Sequence, residues 1–298
     1  MKNLQLPSRE QARADLERAL STYRYRNEIK GYQASEEEID ALMEIYDVYD
    51  GARGALSQAL EGQALGQEVL AATHGAFDQM ADRRRLAYIR KDLLRNVDRC
   101  PICGIMVAKE LDHFLPRSKY KPLAIYRRNL VPLCHDCNNI KSDRAGDGDA
   151  ANFVHAYFDS LPDRDLIRAT AEIEGEALTV QFEVTDDEDV SPALIAKLKY
   201  QLTTLRLPDR FTREINNYLS SHTPSLHLMW QVGGGESGVR LFLNRQIIAE
   251  TATHHRNDWR VATLKALANH AGFCEGGFQA VLPLPPELQG TVDAIAVI

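Results

Sequence analysis

Long hydrophobic runs are missing from this chain of 298 residues: no stretch approaches the roughly eighteen consecutive apolar positions of a membrane helix. The opening MKNLQLPSREQARADLERAL is too charged for a secretory signal, so the sequence predicts no membrane association and a cytoplasmic location. No convincing internal repeat is present, which argues against a solenoid or propeller. Tryptophan is scarce, at two residues, and cysteine amounts to five. Positive charge is in deficit, with a formal net charge of −7, which sits badly with a nucleic-acid partner if the charge is evenly spread. Hydrophobic residues at 44% and charged residues at 26% are ordinary for a folded chain, and the length suits two or three modules.

The charge is not evenly spread. Between Asp82 and Arg144 fifteen Lys and Arg face seven Asp and Glu, leaving +8 there and −15 over the rest. A phosphate-binding module between acidic, protein-facing modules would show this asymmetry. Four of the five cysteines lie in the same stretch, as Cys100-Pro-Ile-Cys103 and Cys134-His-Asp-Cys137. Each two-residue gap lets a pair of thiolates grip one tetrahedral Zn²⁺ from a tight turn, and two such pairs make a closed site. A closed four-cysteine site leaves no position for substrate, so this zinc is expected to be structural, and any chemistry must lie elsewhere. The fifth cysteine, Cys274, reads as a buried thiol.

The spacing predicts an α+β protein: mainly helical flanking domains around a small zinc-stapled ββα core. Residues 1–97 carry helix signals, with Ser8 and Gln11, and Ser35 and Glu38, spaced as capping boxes. FDQMADRRRLAYIRKDLLRN then has helical spacing with a basic face. Residues 98–148 change to short β-type runs, closed by AGDGDA as a turn or linker. Residues 149–298 read as an α+β domain of unknown role. ANFVHAYFDSL is expected to be a short helix, LIRATAEIEGEALTVQFEV a hairpin, and Ser191-Pro192 a helix start. Further helices are expected near 208–221 and 257–271, with GGGESG a flexible loop. His135, His254 and His255 read as surface or cap residues, and Trp230 and Trp259 as core.

Between the two cysteine pairs runs KELDHFLPRSKYKPLAIYRRNLVPLCHDCNNIK. Asp112-His113 ahead of a proline-containing loop, Asn129 leading into the second pair, and Asn138 directly after Cys137 with Lys141 one turn on resemble the HNH, or ββα-metal, nuclease family in its zinc-bracketed form. The resemblance covers about 45 residues. It implies an endonuclease that hydrolyses phosphodiesters with one metal ion, Mg²⁺ or Mn²⁺, held by the hard oxygens of Asp112 and Asn138. His113, whose ordinary pKa lies near 6.5, would be the general base. Asn129 would bridge backbone groups of the loop and fix where His113 points, while Lys141 and, more weakly, Arg144 would touch phosphate. One tension accompanies this assignment: neighbours on an ideal strand face opposite ways, so Asp112 and His113 should not both address one site unless the strand twists or ends there.

The expected substrate is double-stranded DNA, with specificity supplied by flanking modules or a partner. The acidic flanks around one small nuclease core also resemble HNH components of bacterial antiphage defence systems of the Septu-like kind, in which an ATPase or sensor subunit controls cutting. Two alternatives remain open: an RNA- or tRNA-cleaving toxin, and a non-catalytic zinc module that only binds nucleic acid or protein.

Overall fold

A computed structural model describes residues 1–146, 148 and 151–296. Among them the chain forms eleven α-helices and three two-stranded antiparallel sheets, an α+β arrangement dominated by helix. It divides into two compact units. One is Asn3–Ile102 with Met106–Ser160; the other is the chain from Leu161 on, with the short pieces Met1–Lys2 and Cys103–Ile105. Residues 1–97 and 98–148 thus share one body apart from 103–105. The boundary expected at 148/149 falls beside Asp147, Asp149 and Ala150, which lie outside the described residues.

The first unit begins with helix α1 (Ala12–Ala19) and a short hairpin, β1 (Tyr23–Tyr25) and β2 (Glu28–Lys30). The capping box expected at Ser8 does not form. Ser8 instead accepts from the Glu10 amide at 3.2 Å, and the helix starts at Ala12 with no side-chain cap. Ser35 does open α2 (Glu36–Gly51) with a complete box, its hydroxyl accepting from the Glu38 amide and the Glu38 carboxylate from the Ser35 amide. The apolar stripe of α2 buries Ile39, Leu42, Tyr46 and Tyr49. Helix α3 (Gln67–Ala76) follows and continues into a 3-10 turn at Phe77–Met80. The helix expected over 77–96 is therefore broken: after the 3-10 turn the chain loops, with Arg83 at φ 65°, before α4 (Ala87–Leu94).

The core of this unit is a hairpin and a helix. β3 (Glu110–His113) pairs with β4 (Leu130–Leu133), placing Asp112 opposite Val131 and His113 opposite Leu130. α5 (His135–Lys141) follows at once, with Cys134 as its N-cap. The segment after the core, expected to be helical over 151–161, is irregular. The Asp159 carboxylate takes the His155 amide at 2.7 Å and the His155 ring takes the Tyr157 amide at 3.2 Å, so side chains hold the backbone in turns instead of a helical ladder.

The second unit is built on the expected hairpin, β5 (Ile167–Glu174) and β6 (Ala177–Val184), which turns at Gly175 with φ 61°. Helices α6 (Pro192–Thr204), α7 (Leu207–Val232) and α9 (Trp259–Asn269) pack on it, with α8 (Glu236–Thr253) against α7 and α9, followed by α10 (Phe278–Val281) and α11 (Pro286–Ala296). Ser191 caps α6, accepting from the Leu194 amide. The glycine run is a tight link of three residues, because α8 has already begun at Glu236. Trp259 and Cys274 are buried, and His254 caps the end of α8.

Candidate active site and zinc centre

The four thiol sulfurs of Cys100, Cys103, Cys134 and Cys137 lie within 4.8 Å of one another and all four residues are buried. Tetrahedral Zn–S bonds of about 2.3 Å require sulfurs about 3.8 Å apart, so the group fits a zinc ion. The first pair is turned by the Cys100 amide donating to the Met106 carbonyl at 2.8 Å, with Gly104 at φ 67°. The second pair is the first turn of α5, where the Cys137 amide points at the Cys134 sulfur at 3.5 Å. A helix N-terminus favours a thiolate there. No side chain besides the four cysteines is needed to complete this zinc-binding site, and His135 points instead to Glu110, its Nδ1 2.9 Å from the carboxylate.

β3 distributes its side chains as a strand must. Glu110 and Asp112 face α5, and His113, the last strand residue, faces the other way. On the α5 side, Asn138 donates to Glu110 at 2.6 Å, and the Asp112 carboxylate lies 2.8 Å from the Lys141 ammonium. That ammonium also donates to the His113 carbonyl at 2.8 Å and is 2% exposed. Burial pushes the Asp112 carboxyl up to about 6 against the pull of Lys141. The Asn138 hydrogen bond, followed by the His135 contact, holds Glu110 below the usual carboxylate range. Arg144 turns back to the carbonyls of Ile140 and Lys141 at the end of the helix.

On the other side, His113 Nε2 lies 2.8 Å from the Ala124 carbonyl. A carbonyl can only accept, so Nε2 carries the proton and Nδ1 keeps its lone pair. The ring lies 4.4 Å from Phe77, and burial lowers its pKa to about 3, so at neutral pH it is uncharged. Asn129 is fully buried. Its Oδ1 accepts from the Leu115 amide at 2.8 Å, and its Nδ2 donates to the Leu115 and Leu123 carbonyls at 3.0 and 3.3 Å. The amide thereby spans the loop from His113 to Asn129 at both ends, next to the Ala124 carbonyl that holds the histidine.

Several participants have no counterpart in the sequence reading. Glu110 could have been found from the strand period, being two residues before Asp112. Tyr49, Phe77 and His155 could not, because they come from α2, the 3-10 turn and the segment after the core. The Tyr49 hydroxyl lies 3.1 Å from Asn129 Oδ1 and 3.0 Å from His155 Nε2. Parts of the local positive charge are also committed to structure. Arg127 is buried against Asp15 and Asp92, and Arg128 pairs with Asp50 at 2.7 Å.

Residues 100–144 match the family model of the HNH endonuclease domain. The chain is also 36% identical over 75 residues to protein ea31 of Escherichia phage lambda, an alignment covering 25% of this chain and 24% of that one. The chain thus spans about a quarter of the length of that relative. No solved structure matches the chain.

Proposed function

We propose that this HNH endonuclease domain hydrolyses phosphodiester bonds in DNA, with His113 as general base and a divalent metal held by Asp112 and Asn138. The observation that carries the reading is the fixed, uncharged His113. A base must offer a lone pair at neutral pH, and here one ring nitrogen is tied to Ala124 so that the other bears it. Asn129, by tying the loop at Leu115 and Leu123, keeps the Ala124 carbonyl and hence the ring in place. The α5 face offers hard oxygens, those of Asp112 and the Asn138 amide, with the Glu110 carboxylate beside them. Such a donor set suits Mg²⁺ or Mn²⁺, which when bound neutralises phosphate charge and stabilises the leaving oxygen. The His113 ring leaves β3 on the face opposite to Asp112, so base and metal would have to meet on one phosphate at the strand's end, where His113 is the last strand residue and would take the proton of the attacking water. Lys141, enclosed by Asp112 and the His113 carbonyl, would act on the carboxylate instead of meeting phosphate directly; Arg144 is nearer the exposed end of the helix.

Asp112 and His113 are 7% and 8% exposed, and Phe77 lies against the histidine ring. This enclosure supports a nuclease whose cutting is held in check until a protein partner or the substrate itself opens the site.

Plasmid nicking in Mg²⁺ and in Mn²⁺ tests the reading, comparing wild type with His113→Ala and running single-stranded RNA and tRNA beside duplex DNA. Wild type, alone or with the proteins that co-purify with it, should nick the plasmid and the variant should not. Equal cutting by both proteins would sink the histidine base. Cutting of RNA or tRNA alone would replace the DNA reading with that of an RNase or toxin.

A further inference from the structure

The β1–β2 hairpin is exposed along nearly its whole length: only Tyr23 is half-buried, Tyr25 is 50% exposed and Ile29 74%. A two-stranded ribbon has little to bury, so what it carries outward is informative. It presents Arg24, Arg26 and Lys30 against the single acid Glu28, which pairs with Lys30 at 3.2 Å. In a chain of net charge −7 this is a local reversal of sign.

The turn is unusual in chemistry. Arg26 and Asn27 both have positive φ, 50° and 65°, the backbone of a two-residue type I′ connection. Asn or Gly fills the first of these positions at least cost, whereas an arginine there is strained. The strained residue places a guanidinium at the tip, which motivates a functional reading. Tyr25 lies under both Arg26 and Lys30, at 5.3 and 5.5 Å, and steadies the Arg26 guanidinium without neutralising it, while Lys30 is paired with Glu28.

The ribbon is also anchored. Arg85 stacks on Tyr23 at 4.3 Å and donates to the Ser21 carbonyl at 3.0 Å and to the Arg18 carbonyl. Gly31 closes the base where a side chain would strike the Ser21 carbonyl at 2.7 Å. Arg85 belongs to the loop that carries the exposed Arg83 and Arg84, with Arg83 again in left-handed backbone at φ 65°. Arg85 thereby ties the loop that carries Arg83 and Arg84 to the base of the ribbon, in the same compact unit as the HNH hairpin.

We infer that this ribbon is a nucleic-acid clamp, in which Arg24 and Arg26 grip the phosphate backbone of the substrate. Guanidinium groups match phosphate in a bidentate manner, and Arg24, Arg26, Arg83 and Arg84 outnumber the acids Glu28 and Asp82 of the ribbon and its neighbouring loop, which complements a polyanion. The inference rests on the nuclease reading for the purpose of the clamp.

The test is fluorescence anisotropy on full-length zinc-loaded protein with His113→Ala, so that no probe is cut. The probes are a labelled DNA duplex, its single strand and the matching RNA, at several salt concentrations. Arg24→Ala with Arg26→Ala should weaken binding of at least one probe by about tenfold or more, and flatten the plot of log affinity against log salt by about 2. Arg26→Asn keeps the left-handed turn and removes the charge: it should bind less tightly, with a slope flatter by about 1, and melt no lower than its parent. Unchanged affinity and slope for all three probes in these folded variants would overturn the clamp. A protein that binds through the ribbon but cuts nothing in the nicking assay would sink the nuclease reading alone. One that cuts while the arginine variants bind as before would sink the clamp alone.

Discussion

Lys141 and Asp112 form an ion pair of 2.8 Å with both side chains inside the protein, 2% and 8% exposed. The lysine reaches back from the last turn of α5 to the strand two elements earlier, and its second partner is the His113 carbonyl. Through these two contacts it ties the helix of the core to the strand that carries the candidate base.

Removing one member of a buried pair leaves the other charged without compensation, which costs about 3–5 kcal/mol. Lys141→Ala should thus destabilise the protein by that order in urea unfolding. A lysine that only touched phosphate from the surface could be truncated with a change within about 0.5 kcal/mol, and that outcome would remove the structural role.

Tyr49 joins α2 to the loop of the core. The His155 ring accepts from the Tyr157 amide through Nδ1, so its Nε2 donates to Tyr49, whose hydroxyl in turn donates to Asn129 Oδ1. Burial raises the tyrosine pKa well above 10, which keeps the hydroxyl protonated for this task. Tyr49→Phe should cost about 1–3 kcal/mol, with Asn129→Ala costing more because the Leu115 amide and carbonyl both lose their partner. Thermal and urea unfolding of the two variants would check the order; equal stability of Tyr49→Phe and wild type would dissolve the link.

The zinc centre and the base should separate cleanly on mutation. Cys100→Ser or Cys137→Ser should lose the zinc and unfold the core, since structural zinc supplies much of the folding free energy of small sites. His113→Ala should keep one zinc per chain. Zinc release measured with a chromogenic chelator, beside near-ultraviolet circular dichroism, would decide it, and zinc lost with His113→Ala would mean the metal duties are misassigned.

Acid should act on the histidine. Its folded pKa is lowered to about 3 from 6.5, so between those values the unfolded chain holds the extra proton. The stability gained by keeping His113 neutral is complete above 6.5 and is lost as pH falls through that window, at up to about 1.4 kcal/mol per pH unit. Asp112, raised from 3.8 to about 6, has the opposite sign between those values, because its folded form holds the proton more tightly and its contribution is lost as pH rises. That contribution is common to wild type and His113→Gln, so the comparison isolates the histidine. From about pH 7 to about pH 5.5, without added divalent metal, wild type should lose about 1 kcal/mol more than the variant. Equal losses would contradict a buried neutral ring.

The sequence by itself determined the zinc centre and the core. Two Cys-x-x-Cys pairs, Asp112-His113, Asn129 and Asn138 are short-range patterns, and tight turns, a strand end and a first helical turn are short-range structures. The hairpin over 167–184 and the box at Ser35 were legible for the same reason. The tertiary structure alone decided what surrounds them. The partners Tyr49, Phe77 and His155 are set by packing between segments distant in sequence, as is the commitment of Arg127 and Arg128 to Asp15 and Asp50. Packing also enclosed Lys141, which helix spacing alone would have left at the surface. The turns over 151–161 are a local matter that the sequence did carry: Asp159 and the His155 ring take amides of their own segment and compete with a helical ladder.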